Sequence, residues 1–110
     1  MKAARLHEYD EKIGTKPLKV EEVEDPRVEG PFDVIVRIGA AGLCRTDLHI
    51  IEGQWKPIQD PDGTLLPYIP GHENAGWVEE VGSAVTNVQP GDTVIVHPLI
   101  TCGLCRACRA

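Results

Sequence analysis

The chain lacks an excess of positive charge. Among its 110 residues, 17 Asp and Glu outnumber 11 Lys and Arg, which gives a formal net charge of −6. An acidic surface with scattered basic residues is a poor match for a phosphate backbone, so we expect no nucleic-acid partner. The length is that of one ordinary globular domain.

Long hydrophobic runs are missing as well. No apolar run approaches the roughly 18 to 20 residues that a membrane-spanning helix needs. The segment Met1–Arg5 carries charge, but no hydrophobic stretch follows it, so no signal peptide is expected. We therefore expect no membrane partner and a cytoplasmic location. In such a reducing compartment, cysteines are better explained as metal ligands than as disulfides.

The sequence pattern is mainly β. Short β-branched segments predict strands at Val34–Ile38, Trp77–Val81 and Thr93–Val96, with weaker candidates at Lys2–His7 and Leu18–Val23. Only Thr46–Glu52 predicts a helix, and Gly53–Pro70, with four prolines and two glycines, predicts a long loop. Short strands separated by turn residues favour a small barrel or sandwich over a parallel α/β sheet.

Two groups of cysteine and histidine carry the chemistry. The first is spread over Gly42-x-Cys44-x-x-Asp47-x-His49 and Gly71-His72-Glu73, and the second is Cys102-x-x-Cys105-x-x-Cys108. A thiolate and an imidazole from separate segments suit an open catalytic zinc, whereas closely spaced cysteines suit a closed structural zinc. The sequence therefore predicts two metal sites of different kinds.

Both groups resemble the zinc signatures of the medium-chain, zinc-dependent alcohol dehydrogenases, and the resemblance runs along the whole chain. It implies that residues 1–110 are the N-terminal part of a catalytic domain with a GroES-like β-barrel fold and few short helices. A cysteine-rich zinc lobe would start at about residue 100, with the chain ending inside it. No Gly-x-Gly-x-x-Gly occurs between Met1 and Ala110. The family's Rossmann domain is therefore expected to be absent from this chain.

The resemblance assigns a role to each residue around the first site. Cys44 and His72 would bind the catalytic zinc, with Glu73 beside the metal as a transient ligand or close neighbour. Asp47 would accept a hydrogen bond from the ring N–H of His72, since a carboxylate in this position fixes the tautomer and orientation of a metal-bound imidazole.

Further roles follow from the same resemblance. Thr46 and His49 resemble a proton relay, in which the hydroxyl takes the alcohol proton and passes it, through the cofactor ribose, to a histidine near solvent. Arg45 would contact the pyrophosphate of the cofactor, a use that suits a planar and permanently charged donor. Trp55 and, less directly, Leu99 would line the substrate pocket.

Cys102, Cys105 and Cys108 match three of the four ligands of the family's structural zinc, and the fourth cysteine would follow Ala110. The implied activity is oxidation of a small-molecule alcohol to an aldehyde or ketone by hydride transfer to NAD or NADP. The full-length parent would be a homodimer or homotetramer. We expect the 110-residue chain alone to be inactive, because the third catalytic zinc ligand and the cofactor domain would lie outside it.

Several alternatives stay open. A small zinc-binding interaction module would use the three cysteines as a zinc knuckle, and polyol, formaldehyde and threonine dehydrogenases share the motifs. Zinc-free quinone reductases generally lack these ligands, and a co-chaperonin-like barrel has no use for Cys44, Asp47 and His72 together. The identity of the substrate and the choice between NAD and NADP are not determined by this sequence.

Overall fold

The computed structural model describes residues 1–14 and 17–109. In chain order its elements are β1 (Lys2–Leu6), β2 (Leu18–Glu22), β3 (Val34–Gly42), α1 (Arg45–Glu52), α2 (Lys56–Gln59), β4 (Glu73–Val81), β5 (Thr93–Ile95) and α3 (Arg106–Arg109). Within the described residues, five strands and three short helices make the fold mainly β, as the sequence predicts. No helix in this part of the chain is long and apolar enough to span a membrane.

The strands form two antiparallel sheets. One pairs β1 with β2, and the other has the order β3-β4-β5. The pairing of β3 with β4 ends at the rung where Gly42 lies opposite Glu73, and its register shifts twice, between Ile35 and Val36 and between Ile38 and Ala40. The end of β3 therefore brings the segment before Cys44 beside the segment after His72.

A small core joins the first sheet to α1. Leu6 is fully buried and packs with Ile50 and Ile51 of the helix. Leu6 also exchanges two backbone hydrogen bonds with Tyr68, with N–O distances of 2.7 and 3.0 Å. These contacts hold the segment that leads to His72 against the β1 strand and the helix.

Helix α1 has clear start and stop signals in the sequence. Cys44 is its N-cap with an extended backbone, and the Asp47 carboxylate accepts the Cys44 backbone N–H at 3.0 Å. This is the return half of a capping box, which satisfies a backbone donor that the helix leaves free. Gly53 ends the helix in the left-handed conformation, which glycine adopts without the penalty of a Cβ.

The segment Gly53–Pro70 is more ordered than the predicted loop. It contains the four-residue helix α2, with Pro57 in its first turn, where a proline removes no helical hydrogen bond. Asp60, at the end of α2, is 3% exposed and accepts hydrogen bonds from the Tyr9 hydroxyl at 2.7 Å and the Leu65 N–H at 2.8 Å. The prediction of only one helix is therefore wrong, because a buried carboxylate organises this proline-rich segment. The short helix α3 in the cysteine region was not predicted either.

Candidate metal centres

Cys44 lies between the end of β3 and the first turn of α1. The strand ends at Gly42, and the cysteine follows as the helix N-cap. The backbone N–H and the hydroxyl of Thr46 donate to the Cys44 sulfur, and they lower the pKa of the thiol, with a smaller contribution from His72. The position therefore favours the thiolate, which is the form that binds a metal.

Asp47 ties the two halves of the first site together. Its side chain is 1% exposed. One carboxylate oxygen accepts the Cys44 N–H at 3.0 Å, and the other accepts the Gly71 N–H at 3.1 Å and lies 3.0 Å from Nδ1 of His72. The hydrogen bond predicted between Asp47 and His72 is therefore present. It fixes the ring with Nδ1 toward the carboxylate, which leaves Nε2 available to a ligand.

The Asp47 contact also raises the proton affinity of the imidazole. The hydrogen bond to Asp47 raises the pKa of His72, and the neighbouring Cys44 adds to this effect. A metal binds the neutral ring, so the raised pKa makes protons compete with a metal for His72 more strongly than for an ordinary histidine.

Glu73 completes a cluster of three donor atoms. One ligand atom each from Cys44, His72 and Glu73 lies within 4.8 Å of the others. The cysteine and histidine are half-buried, whereas Glu73 is exposed at the start of β4. A thiolate, an imidazole and a carboxylate are the three kinds of side chain that bind zinc in proteins, so the donor set fits this metal.

The residues of the predicted relay lie along α1. The Thr46 hydroxyl is directed at the Cys44 sulfur. One turn further along the helix, Nδ1 of His49 lies 3.2 Å from Oε2 of Glu52, and the rings of His49 and Trp55 have centroids 6.0 Å apart. Trp55 is 37% exposed. The structure thus groups His49 with Trp55, and it places Thr46 beside the thiol.

Two other predicted residues lie outside this group. Arg45 is exposed in the first turn of α1, next to the thiol ligand in sequence. Leu99 is 67% exposed, and its backbone N–H donates to Nδ1 of His97 at 3.2 Å. The contacts of Leu99 are local, so its predicted pocket role has no support from the geometry.

The second centre is compact and exposed. Sγ of Cys108 lies 3.6 Å from Sγ of Cys102 and 3.3 Å from Sγ of Cys105. Four thiolates around one zinc lie about 3.8 Å apart, given Zn–S bonds of about 2.3 Å in a tetrahedron. Backbone N–H groups of Cys105 and Leu104 lower the pKa of Cys102 to about 6, with further help from the other two thiols. Spacing and charge both fit a zinc site.

Comparisons with known proteins identify the family. The model described as "Alcohol dehydrogenase GroES-like domain" matches residues 30–110. The chain belongs to this family. An alcohol dehydrogenase of Geobacillus stearothermophilus is 44% identical over 109 residues, which cover 98% of this chain and 29% of that protein. Membership in the alcohol dehydrogenase family is what the zinc signatures implied.

Solved structures of alcohol dehydrogenases match the same region. The crystal structure of the enzyme from the hyperthermophilic archaeon Aeropyrum pernix has a TM-score of 0.81 and 53% identity, and the match covers 99% of this chain and 29% of that one. A thermostable alcohol dehydrogenase from Pyrobaculum aerophilum, with cobalt and zinc bound, has a TM-score of 0.78 and 37% identity, covering 99% and 30%. The chain therefore has the family's GroES-like fold, and it spans less than a third of the length of these relatives.

Several residues that shape the first site were not predicted from the sequence. Glu52 lies three residues after His49, a spacing at which helix side chains meet, so periodicity could have found it. Gly71 has φ +114°, its carbonyl accepts a hydrogen bond from the Asn74 side chain at 3.2 Å, and its N–H reaches Asp47. No local sequence pattern predicts the Gly71 contacts, because they depend on how β4 approaches α1.

Proposed function

We propose that this chain is the N-terminal part of the catalytic domain of a zinc-dependent alcohol dehydrogenase. The longer enzyme would oxidise a small-molecule alcohol to an aldehyde or ketone by hydride transfer to NAD or NADP. The observation that carries the proposal is the cluster of Cys44, His72 and Glu73, whose imidazole is held by the buried carboxylate of Asp47. We also propose that the longer enzyme is cytoplasmic and forms a homodimer or homotetramer.

Cys44 and His72 would hold the catalytic zinc, and Glu73 would be a third donor or a close neighbour. When bound, zinc supplies Lewis-acid polarisation of an oxygen atom on the substrate. The side chains of the protein would orient and charge the metal ligands. Asp47 keeps Nδ1 of His72 occupied and so presents Nε2, while the Thr46 hydrogen bonds favour the Cys44 thiolate.

Two residues of α1 would take part in proton transfer. The Thr46 hydroxyl can both accept and donate, so it would take the alcohol proton once it turns from the Cys44 sulfur. His49, one turn away and half-buried, would pass the proton to solvent with Glu52 as its hydrogen-bond partner. The Trp55 ring beside His49 would cover the apolar part of the substrate.

The other assignments follow the same scheme. The exposed guanidinium of Arg45 would bind the cofactor pyrophosphate. Cys102, Cys105 and Cys108 would hold a structural zinc that stabilises their lobe and takes no part in the reaction. Without a cofactor domain, the 110-residue chain is expected not to turn over alcohol.

The first test removes a metal ligand from the full-length enzyme. Cys44→Ala or His72→Ala is expected to abolish zinc binding at the first site and to reduce turnover by several orders of magnitude, because each variant lacks one of the few protein ligands. Zinc content and the rate of NADH or NADPH formation with a panel of alcohols measure this. His7→Ala is the matched control, since His7 also pairs with a carboxylate, Glu21 at 3.1 Å, but on the first sheet. Normal activity and zinc content in either ligand variant would refute the proposal.

The second test separates the relay from the metal. His49→Ala is expected to keep its zinc while alcohol oxidation slows roughly 10- to 100-fold near neutral pH. Imidazole buffer should partly restore the rate because it can carry the proton instead. An unchanged rate and pH profile would show that His49 takes no part in proton transfer.

A further inference from the structure

We infer that Gly42 is a positioning residue for the first metal centre, because the absence of a side chain there lets the Glu73 carboxylate lie beside Cys44 and His72. The inference rests on the metal site proposed above. It concerns a residue that neither binds metal nor touches substrate.

The evidence begins at the last rung of the β3–β4 pair, where Gly42 lies directly opposite Glu73. Side chains at directly opposed positions of antiparallel strands normally have Cβ atoms about 4.5–5.5 Å apart. A Cβ built on Gly42 would be 3.1 Å from Cβ of Glu73 and 3.5 Å from its Cδ, and it would overlap Oε2. An added methyl would therefore crowd Cβ of Glu73 and take the place of its carboxylate oxygen.

The Glu73 side chain uses the space that glycine leaves. It folds over the bare Cα of Gly42, and in this position its carboxylate joins the Cys44 and His72 donor atoms within 4.8 Å. Glu73 is exposed and can reach other rotamers that point to solvent. A Cβ at position 42 would exclude the observed rotamer of Glu73, so the carboxylate would leave the cluster.

The backbone gives no other reason for glycine at this position. Gly42 is not among the described glycines with positive φ, which are Gly53, Gly63, Gly71, Gly91 and Gly103. An alanine could therefore adopt the Gly42 backbone conformation without strain. What an alanine would meet at this rung is the Glu73 side chain, in the rotamer that reaches the cluster.

A double-mutant cycle with cobalt(II) tests the inference. The full-length protein would be titrated with cobalt as wild type, Gly42→Ala, Glu73→Ala and the double variant, with the cysteine cluster common to all four. We expect each single variant to weaken cobalt binding at the first site about tenfold, the low end for loss of a residue that supports a metal ligand. The double variant should bind like Glu73→Ala, since the added methyl has no carboxylate left to displace.

Gly39→Ala is the matched control on the same strand. A Cβ at position 39 would be 2.6 Å from Cζ3 of Trp77, so this variant crowds β3 without approaching the first site. It should lower stability yet leave cobalt affinity unchanged. Additive losses in the double variant, an unaffected Gly42→Ala protein, or an equal loss of affinity in Gly39→Ala would each overturn the inference.

Two further outcomes are informative. If Gly42→Ala fails to fold, Gly42→Ala/Glu73→Gly removes both the overlapping carboxylate and its Cβ, and it should fold and bind cobalt like Glu73→Gly. Failure of that protein to fold would show that Gly42 is needed for a reason other than Glu73. If wild type and Cys44→Ala give identical cobalt titrations, the proposed metal site itself is wrong, which is a different result from a failed cycle.

Discussion

The two candidate metal centres are built in opposite ways. In the cysteine cluster, the sulfurs of Cys102 and Cys108 belong to residues six positions apart, and all three thiols are exposed. In the first centre, the partners Asp47 and His72 are 25 positions apart, and the carboxylate that joins them is 1% exposed. A local site can be formed by spacing within one segment, whereas a site that draws on distant segments needs a buried anchor.

Burial of the Asp47 carboxylate costs free energy, and the hydrogen bonds that it accepts offset this cost. Burying a carboxylate is unfavourable unless its oxygens accept hydrogen bonds. Asp47 has three nitrogen partners, and each belongs to a segment that carries or adjoins a candidate ligand. Asp60 repeats the device with Tyr9 and Leu65 and holds the segment that follows α1. Buried carboxylates thus order the first centre and the segment after α1, and the cysteine cluster relies on its own backbone N–H groups.

The largest expected effect comes from removing the anchor. Asp47→Ala should lower the free energy of unfolding by about 3 kcal/mol, because it leaves buried donors without an acceptor. The variant should lose metal at the first centre and keep it at the cysteine cluster. Urea unfolding and zinc stoichiometry measure both effects, with Asp62→Ala as an exposed control. Retention of metal at both centres by Asp47→Ala would show that the first centre does not depend on the Asp47 carboxylate.

A smaller effect is expected at the second buried carboxylate. Burial and the hydrogen bond to Asp60 raise the pKa of Tyr9 to about 12, from an ordinary value of about 10. The protonated hydroxyl therefore stabilises the fold below about pH 10, and this contribution is lost as the pH rises toward 12. Tyr9→Phe should cost about 1.5 kcal/mol at neutral pH, since the lost hydrogen bond has a charged partner.

The Tyr9 experiment compares urea unfolding of wild type and Tyr9→Phe at several pH values from 7 to 12. The difference between them should shrink across the upper part of that range. Tyr68→Phe, which alters another tyrosine packed against the same core, is the control for loss of a tyrosine hydroxyl. A constant difference for Tyr9→Phe would contradict the proposed role of the hydroxyl.

Disabling the cysteine cluster should have little effect on the rest of the domain. Cys105→Ser is expected to abolish metal binding at the cluster. It should change the unfolding free energy of the rest of the domain by no more than about 0.5 kcal/mol, as is usual for exposed positions. Zinc at the first centre should be unaffected. A cooperative loss of metal from both centres would mean that the two sites are structurally linked.

The smallest perturbation is chemical modification of one thiol. With a pKa of about 6, Cys102 should be mostly thiolate at pH 7 in the metal-free protein and should react with iodoacetamide before Cys44, which is half-buried. Peptide mass spectrometry would follow the order of labelling, and added zinc should protect the cluster. Faster labelling of Cys44 than of Cys102 would contradict this prediction.

Much of the fold was predictable because its signals are local. The predicted strands all occur, although β3 and β4 are longer than predicted and β1, β2 and β5 each end one residue earlier. Helix α1 was predicted to within one residue, and in the structure Asp47 and Gly53 cap its two ends. Helix α2 was missed because its proline-rich sequence argues for a loop, and only the burial of Asp60 orders it.

The sequence by itself determined the residue types of both candidate metal centres, the spacing of the three cysteines and, through its resemblance to a family, the pairing of Asp47 with His72. These features depend on chain positions that are close together or on a recognisable signature. Only the tertiary structure decided that Asp47 also binds Gly71, that Tyr9 reaches Asp60 across 51 positions, and that Gly42 makes room for Glu73. Such contacts arise where strands and helices from distant segments pack, and packing has no signature in the local sequence because it depends on the shape of both partners.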